Sequence, residues 1–139
     1  MSADIVDRYK DAANRLTKDT MDLLPGVYAD TIWFIDPLHE VRGLINLRAY
    51  YERLYANISF VAFDFHDTIV QDSMASLTWT MRMRHARFRP KEVVEVPGVS
   101  VIRFGERITY QRDYLDVGEM VYERVPVLGR AIRAIKSRL

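Results

Sequence analysis

Residues 59–71 read SFVAFDFHDTIVQ, and their period of two decides the architecture. Val61, Phe63, Phe65 and Ile69 alternate with Ala62, Asp64, His66 and Thr68, the pattern of a strand with one face on a core. The next run, SMASLTWTMRMRHARF (73–88), repeats it, with Leu77, Trp79, Met81 and Met83 opposite Thr78, Thr80, Arg82 and Arg84. Two more strands follow, EVVEVPGVSVIRF (92–104) and RITYQRDYLDV (107–117). The Gly105–Glu106 turn between them predicts a hairpin.

Upstream the period changes to that of a helix. Ser2 is a cap for a first helix, with Ile5, Tyr9, Ala12, Ala13 and Leu16 on one face. Thr20 or Asp19 opens a second, with Leu23, Leu24, Val27 and Tyr28 inward, and Pro25–Gly26 ends or kinks its first turn. TIWFI (31–35) is β-branched and aromatic, hence a short strand. After Gly43, Leu47, Tyr50, Tyr51, Leu54 and Ile58 form a helical stripe. Downstream, Asp116 caps a helix over 117–124. Pro126 opens a last one, with Val127, Leu128, Ala131, Ile132, Ile135 and Leu139 on one side.

Helices first and a strand meander last predict an α+β domain with antiparallel pairing. The sheet curls around the N-terminal helices into a cone with an apolar interior, and residues 1–139 form a single domain. No stretch reaches the roughly 18–20 apolar residues of a membrane span. The N-terminus lacks the apolar run of a secretory signal, so the simplest compartment is the cytoplasm. The absence of cysteine excludes disulfides, thiolate metal sites and cysteine nucleophiles.

Net charge is +1, unevenly spread. Arg124, Arg130, Arg133, Lys136 and Arg138 are five bases with no acid among them; residues 1–123 hold the other 15 bases and all 19 acids, or −4. Such a body does not attract phosphates, and no nucleic-acid partner is expected. The basic run RMRHARFRPK (82–91) reads as a solvated face or a subunit contact. The last helix is amphipathic and basic; an anionic membrane is a possible surface for it, while docking on the body is favoured.

The chemistry centres on two acids. Asp36 ends the greasy run WFIDP, where a turn residue and a catalytic base are written alike. Asp113 shares a strand face with Thr109, Gln111, Leu115 and Val117. If that face is interior, the carboxyl is desolvated beside Trp79, Met81 and Leu115, and its pKa rises toward a range useful for proton transfer. His39, His66 and His85 lack metal-ligand spacing, so no metal is expected, and no glycine-rich loop indicates a nucleotide cofactor. Trp33, His39, Tyr51, Tyr55, Phe63, Trp79, Met81, Gln111 and Leu115 are the candidate lining of an apolar pocket, Tyr9 a candidate donor in it.

VYADTIWFIDP followed by RGLINLRAYYERL, together with YQRDYLD (110–116) and DRYKDAANRL (7–16), resembles the SnoaL-like, or nuclear transport factor two-like, proteins. These include ketosteroid isomerase, polyketide cyclases, limonene epoxide hydrolase and non-enzymatic members. The resemblance implies the cone fold, an interior odd face for residues 109–117, and an outer even face toward a second copy. A homodimer through Ile108, Tyr110 and Tyr114 follows from it. In the isomerase branch Asp36 matches the general base and Tyr9 the donor to the enolate oxygen, while Ser100 stands where a second acid is needed. In the hydrolase branch Asp113 matches the acid of an Arg-Asp pair, but LTWTMRM (77–83) has no acid to supply its partner. Two functions stay open: a cofactor-independent isomerase, cyclase or dehydratase using Asp36 or Asp113, and a non-catalytic module holding a ligand or a protein.

Overall fold

The computed structural model describes residues 2–87, 91–116 and 126–139. The expected helix over 117–124 lies outside them. Helix α1 (Ser2–Arg15) is followed by a 3-10 turn (Met21–Gly26), strands β1 (Tyr28–Ile35) and β2 (Glu40–Arg42), and helix α2 (Leu44–Tyr55). Strands β3 (Ile58–Gln71), β4 (Met74–His85), β5 (Val94–Phe104) and β6 (Ile108–Leu115) come next, then helix α3 (Pro126–Ser137). The strands form one curved six-stranded sheet in the order β2-β1-β6-β5-β4-β3. The fold is the expected α+β cone, its concave face closed by α1 and α2.

The core lies between that face and the helices. Ile5, Val6, Tyr9 and Leu16 of α1 and Leu47 and Tyr50 of α2 meet Ile32, Phe34, Leu77, Ile102 and Ile108 of the sheet, all buried. Asn14 fastens α1 to the exposed edge of β3. Its side-chain N–H donates to the Phe63 carbonyl (3.1 Å) and its Oδ1 accepts from the Phe63 N–H (2.7 Å).

Several expectations need correction, each for a local reason. Val27 and Tyr28 are not in a second helix: Pro25 lacks the N–H for α-helical bonding, the segment stays a short 3-10 turn, and Tyr28 opens β1. Ile58 begins β3 rather than ending α2. Pairing is not wholly antiparallel, because β1 runs parallel to β6. Strand β2 was not foreseen; its three residues pair with Trp33, Phe34 and Ile35.

Two bulges shift the phase of the alternation. On β3 the register passes from Phe65↔Trp79 to Thr68↔Leu77, so His66 and Asp67 bring one extra residue. The Thr78 hydroxyl accepts from the Asp67 N–H at 2.9 Å and holds this bulge. Beyond it Ile69 turns outward, 69% exposed, instead of joining Val61, Phe63 and Phe65 inside. On β6 the register passes from Arg103↔Tyr110 to Phe104↔Ile108. Ile108 is therefore fully buried and does not belong to the outer face with Tyr110 and Tyr114.

That outer face carries a row of paired positions across four strands. Arg42 lies over the Trp33 ring at 4.2 Å, Trp33 meets Tyr110 edge-on at 5.3 Å, and Arg103 lies over Tyr110 at 5.4 Å. Trp33 also donates its Nε1–H to Glu40 at 2.7 Å.

The bulges set opposite fates for two isoleucines. Ile108→Ala is expected to cost about 2–4 kcal/mol, and Ile69→Ser less than about 0.5 kcal/mol. Urea denaturation of both variants measures this; similar losses would contradict the phase described.

Candidate functional site

Between α1, α2, β1, β3 and β6 lies a cavity of about 50 Å³. That is room for roughly three to five water molecules at about 10–15 Å³ each. Its polar and aromatic wall is Tyr9, Tyr28, Tyr51, Tyr55, Phe63, Gln111 and Asp113, and Leu16, Leu24 and Val27 are among its apolar residues. Burial raises the pKa of all four tyrosines well above the ordinary value, so their hydroxyls stay neutral.

Among the described residues Asp113 is the one ionisable carboxyl on this wall. Both of its hydrogen bonds go to Oδ1: Ser100 Oγ donates at 2.6 Å and Gln111 Nε2 at 2.9 Å. Oδ2 accepts none among the described residues. Burial pushes the carboxyl up to about 6, against the opposing pull of those two donors; the negative charge of Asp36 adds slightly to the rise. No cation figures among its causes.

Ser100 is the node that orders this site. It is fully buried on the inner face of β5. Its Oγ accepts the Trp79 Nε1–H at 2.9 Å and lies 2.9 Å from the Tyr9 hydroxyl. Indole can only donate, and the serine has one proton, which goes to the carboxylate. Tyr9 must then be a donor to Ser100 as well. Gln111 completes the set: its Oε1 accepts from the Tyr28 hydroxyl at 2.6 Å. Its Nε2 also reaches the Tyr9 hydroxyl at 3.5 Å, and the donors of Ser100 and Gln111 converge on Asp113 Oδ1.

Gly98 makes the Trp79 contact possible. The two residues are register partners on neighbouring strands. A Cβ at Gly98 would stand 2.3 Å from the indole ring, inside any real contact. Gly98 and Ser100 were not read as a pair in the sequence. The signal was there: they are the two small residues in the otherwise apolar inner row Val94, Val96, Gly98, Ser100, Ile102, Phe104.

The structure brings Tyr9, Tyr51, Tyr55, Phe63, Gln111 and Asp113 to the cavity wall and leaves other candidates away from it. Trp79 stands behind the wall, bonded to Ser100. Met81 and Leu115 pack in a second cluster with Met83, Val94 and Val96. Trp33 faces outward. His39 lies tilted against Tyr50, ring centroids 4.9 Å apart, in the β1–β2 turn.

Asp36 holds that turn. Its Oδ1 accepts the Leu38 and His39 N–H groups, each at 2.8 Å, and its Oδ2 the Tyr50 hydroxyl at 2.5 Å. It does not line the cavity. Among the described residues no three His, Asp or Glu side chains are grouped to hold a metal.

A family model described as the SnoaL-like domain matches residues 6–111 of this chain. No curated protein sequence matches it. Solved structures do. An NTF2-like protein of unknown function from Burkholderia pseudomallei superimposes with a TM-score of 0.75 at 16% identity, covering 86% of this chain and 94% of its own. A structure described as a putative SnoaL-like polyketide cyclase, from Shewanella denitrificans, gives 0.71 at 19%, covering 86% and 93%. An LEH-like epoxide hydrolase of Mycobacterium tuberculosis gives 0.70 at 16%, covering 99% and 96%. At these identities the likeness is one of fold.

Two measurements test the site. Asp113 titrates higher in the fold than in the unfolded chain, so its contribution to stability is full at low pH and is lost as pH rises through about 6. Asp113→Asn is therefore expected to match the wild type near pH 4 and to exceed it by roughly 1–3 kcal/mol near pH 8, read by urea unfolding. Gly98→Ala is expected to lose about 1–3 kcal/mol by overpacking and to alter the near-ultraviolet circular dichroism of Trp79.

Proposed function

The chain belongs to the SnoaL-like family, and we propose that it acts on a small, largely apolar molecule held in the tyrosine-walled cavity. Asp113 exchanges a proton with that molecule through Oδ2, without a cofactor. The observation that carries this reading is the division of labour in one carboxyl: Oδ1 is held by Ser100 and Gln111, and Oδ2 has no donor among the described residues. Ionised, Oδ2 is a base; protonated, it is an acid; neither state disturbs the bonds at Oδ1. A pKa near neutrality suits both roles.

The chemistry this supports is isomerisation, cyclisation or dehydration beside a carbonyl. Oδ2 takes a proton from the carbon next to the carbonyl, and the electron pair moves onto the oxygen. A neutral tyrosine donates a hydrogen bond there; Tyr55, whose hydroxyl has no partner among the described residues, is the candidate. Tyr9 acts from behind, positioning Ser100. Asp36 acts at a distance by holding the β1–β2 turn.

The small volume supports a second reading, a module that binds without turnover. For either, the outward Trp33, Tyr110 and Tyr114 support a homodimer through the outer sheet face, in which the buried Ile108 takes no part.

Deuterium wash-in from D2O into butanone and cyclopentanone, followed by mass spectrometry, tests the catalytic reading. Exchange is expected to rise with pH through about 6 and to fall by about 10²–10⁴ in Asp113→Asn. Equal exchange in the variant leaves only the binding module.

A further inference from the structure

The C-terminal half of α3 leaves apolar surface open among its described side chains. Ile135 is 62% exposed and Leu139 fully exposed, while Ile132 is partly covered. Sequence spacing favours docking of this stripe onto the domain; Ile135, within the described residues of the stripe, faces out. An ion pair from Lys136 Nζ to Asp116 Oδ2, 2.9 Å, ties the helix to the end of β6.

We propose that α3 is a membrane-surface element, lying flat on an anionic lipid bilayer with Ile132 and Ile135 in the interface and Leu139, just past the end of the helix, beside them. Charge complementarity selects this occupant. Residues 124–139 hold five bases and no acid, whereas residues 1–123 sum to −4. At 100° per residue the apolar positions cluster on one side, and the exposed Arg130, Arg133 and Arg138 fall beside or opposite them. Arginines so placed lay their apolar stems along the interface and keep their guanidinium groups among the headgroup phosphates. The same charges oppose pairing of this helix with its copy in a second chain. No described helix is long and apolar enough to cross a membrane, so this one lies on the surface. With few bulky side chains its attachment is reversible, and the acidic body is held off the lipid by its own charge.

Co-sedimentation of the full chain with vesicles tests this. Phosphatidylcholine mixed with phosphatidylglycerol is expected to pellet the protein at low salt; phosphatidylcholine alone is not. Each of Arg130→Gln and Arg138→Gln is expected to weaken binding about fivefold, added salt to weaken it further, and Ile135→Glu to abolish it. Because these residues are exposed, the variants keep the urea midpoint of the wild type, which separates a failure of docking from a failure of folding. Absence of partition into the anionic vesicles overturns the proposal, as does equal partition into neutral ones. So does a dimer, seen by analytical ultracentrifugation, that Ile135→Glu splits, since the stripe would then belong to a second copy.

Discussion

The site depends on a buried serine that has one proton to give and three neighbours to satisfy. Ser100 meets the donor-only indole of Trp79, the phenol of Tyr9 and the carboxyl of Asp113. Reverse any one bond and a polar group buried by the sheet loses its partner, at a cost of about 1–3 kcal/mol. This is why the network has a single direction. It ties α1 to β4, β5 and β6 through one oxygen, so the geometry of the cavity and the packing of the cone are set together. Gly98 belongs to the same constraint from the backbone side, because a Cβ there would keep the indole from the serine.

An acid that titrates near 6 is a destabilised acid. The fold tolerates it through the two donors at Oδ1, which oppose the effect of burial without cancelling it. A lysine or arginine there would hold the carboxyl ionised and inert. Four neutral tyrosines supply polarity without charge, which keeps Asp113 the one group on the wall that changes state near neutrality.

Much of this was legible in the chain. The period of two put Trp79 with Met81, and Gln111 with Asp113 and Leu115, on common faces; the resemblance turned the latter face inward, and all five side chains are on the concave side. The reading failed where backbone pairing between distant segments intervenes. The phase of Ile69 depends on a bulge held by Thr78 of the neighbouring strand, and that of Ile108 on its register with Phe104. The parallel pairing of β1 with β6 joins segments some eighty residues apart, which no local pattern reports. Asp36 was ambiguous for a different reason: an aspartate before proline has one spelling and two uses, and only the donors Leu38, His39 and Tyr50 show it fastening a turn.

Strand β3 is the long rim of an open sheet, fourteen residues with no neighbouring strand on one flank among the described residues. A straight rim of that length invites other chains to add to it and grow fibrils. Here the invitation is withdrawn at several points: Asn14 occupies the backbone at Phe63, the kink at His66 and Asp67 interrupts the repeat, and Asp64 adds charge beside it. The amide that fastens the first helix therefore also helps to keep the protein from polymerising.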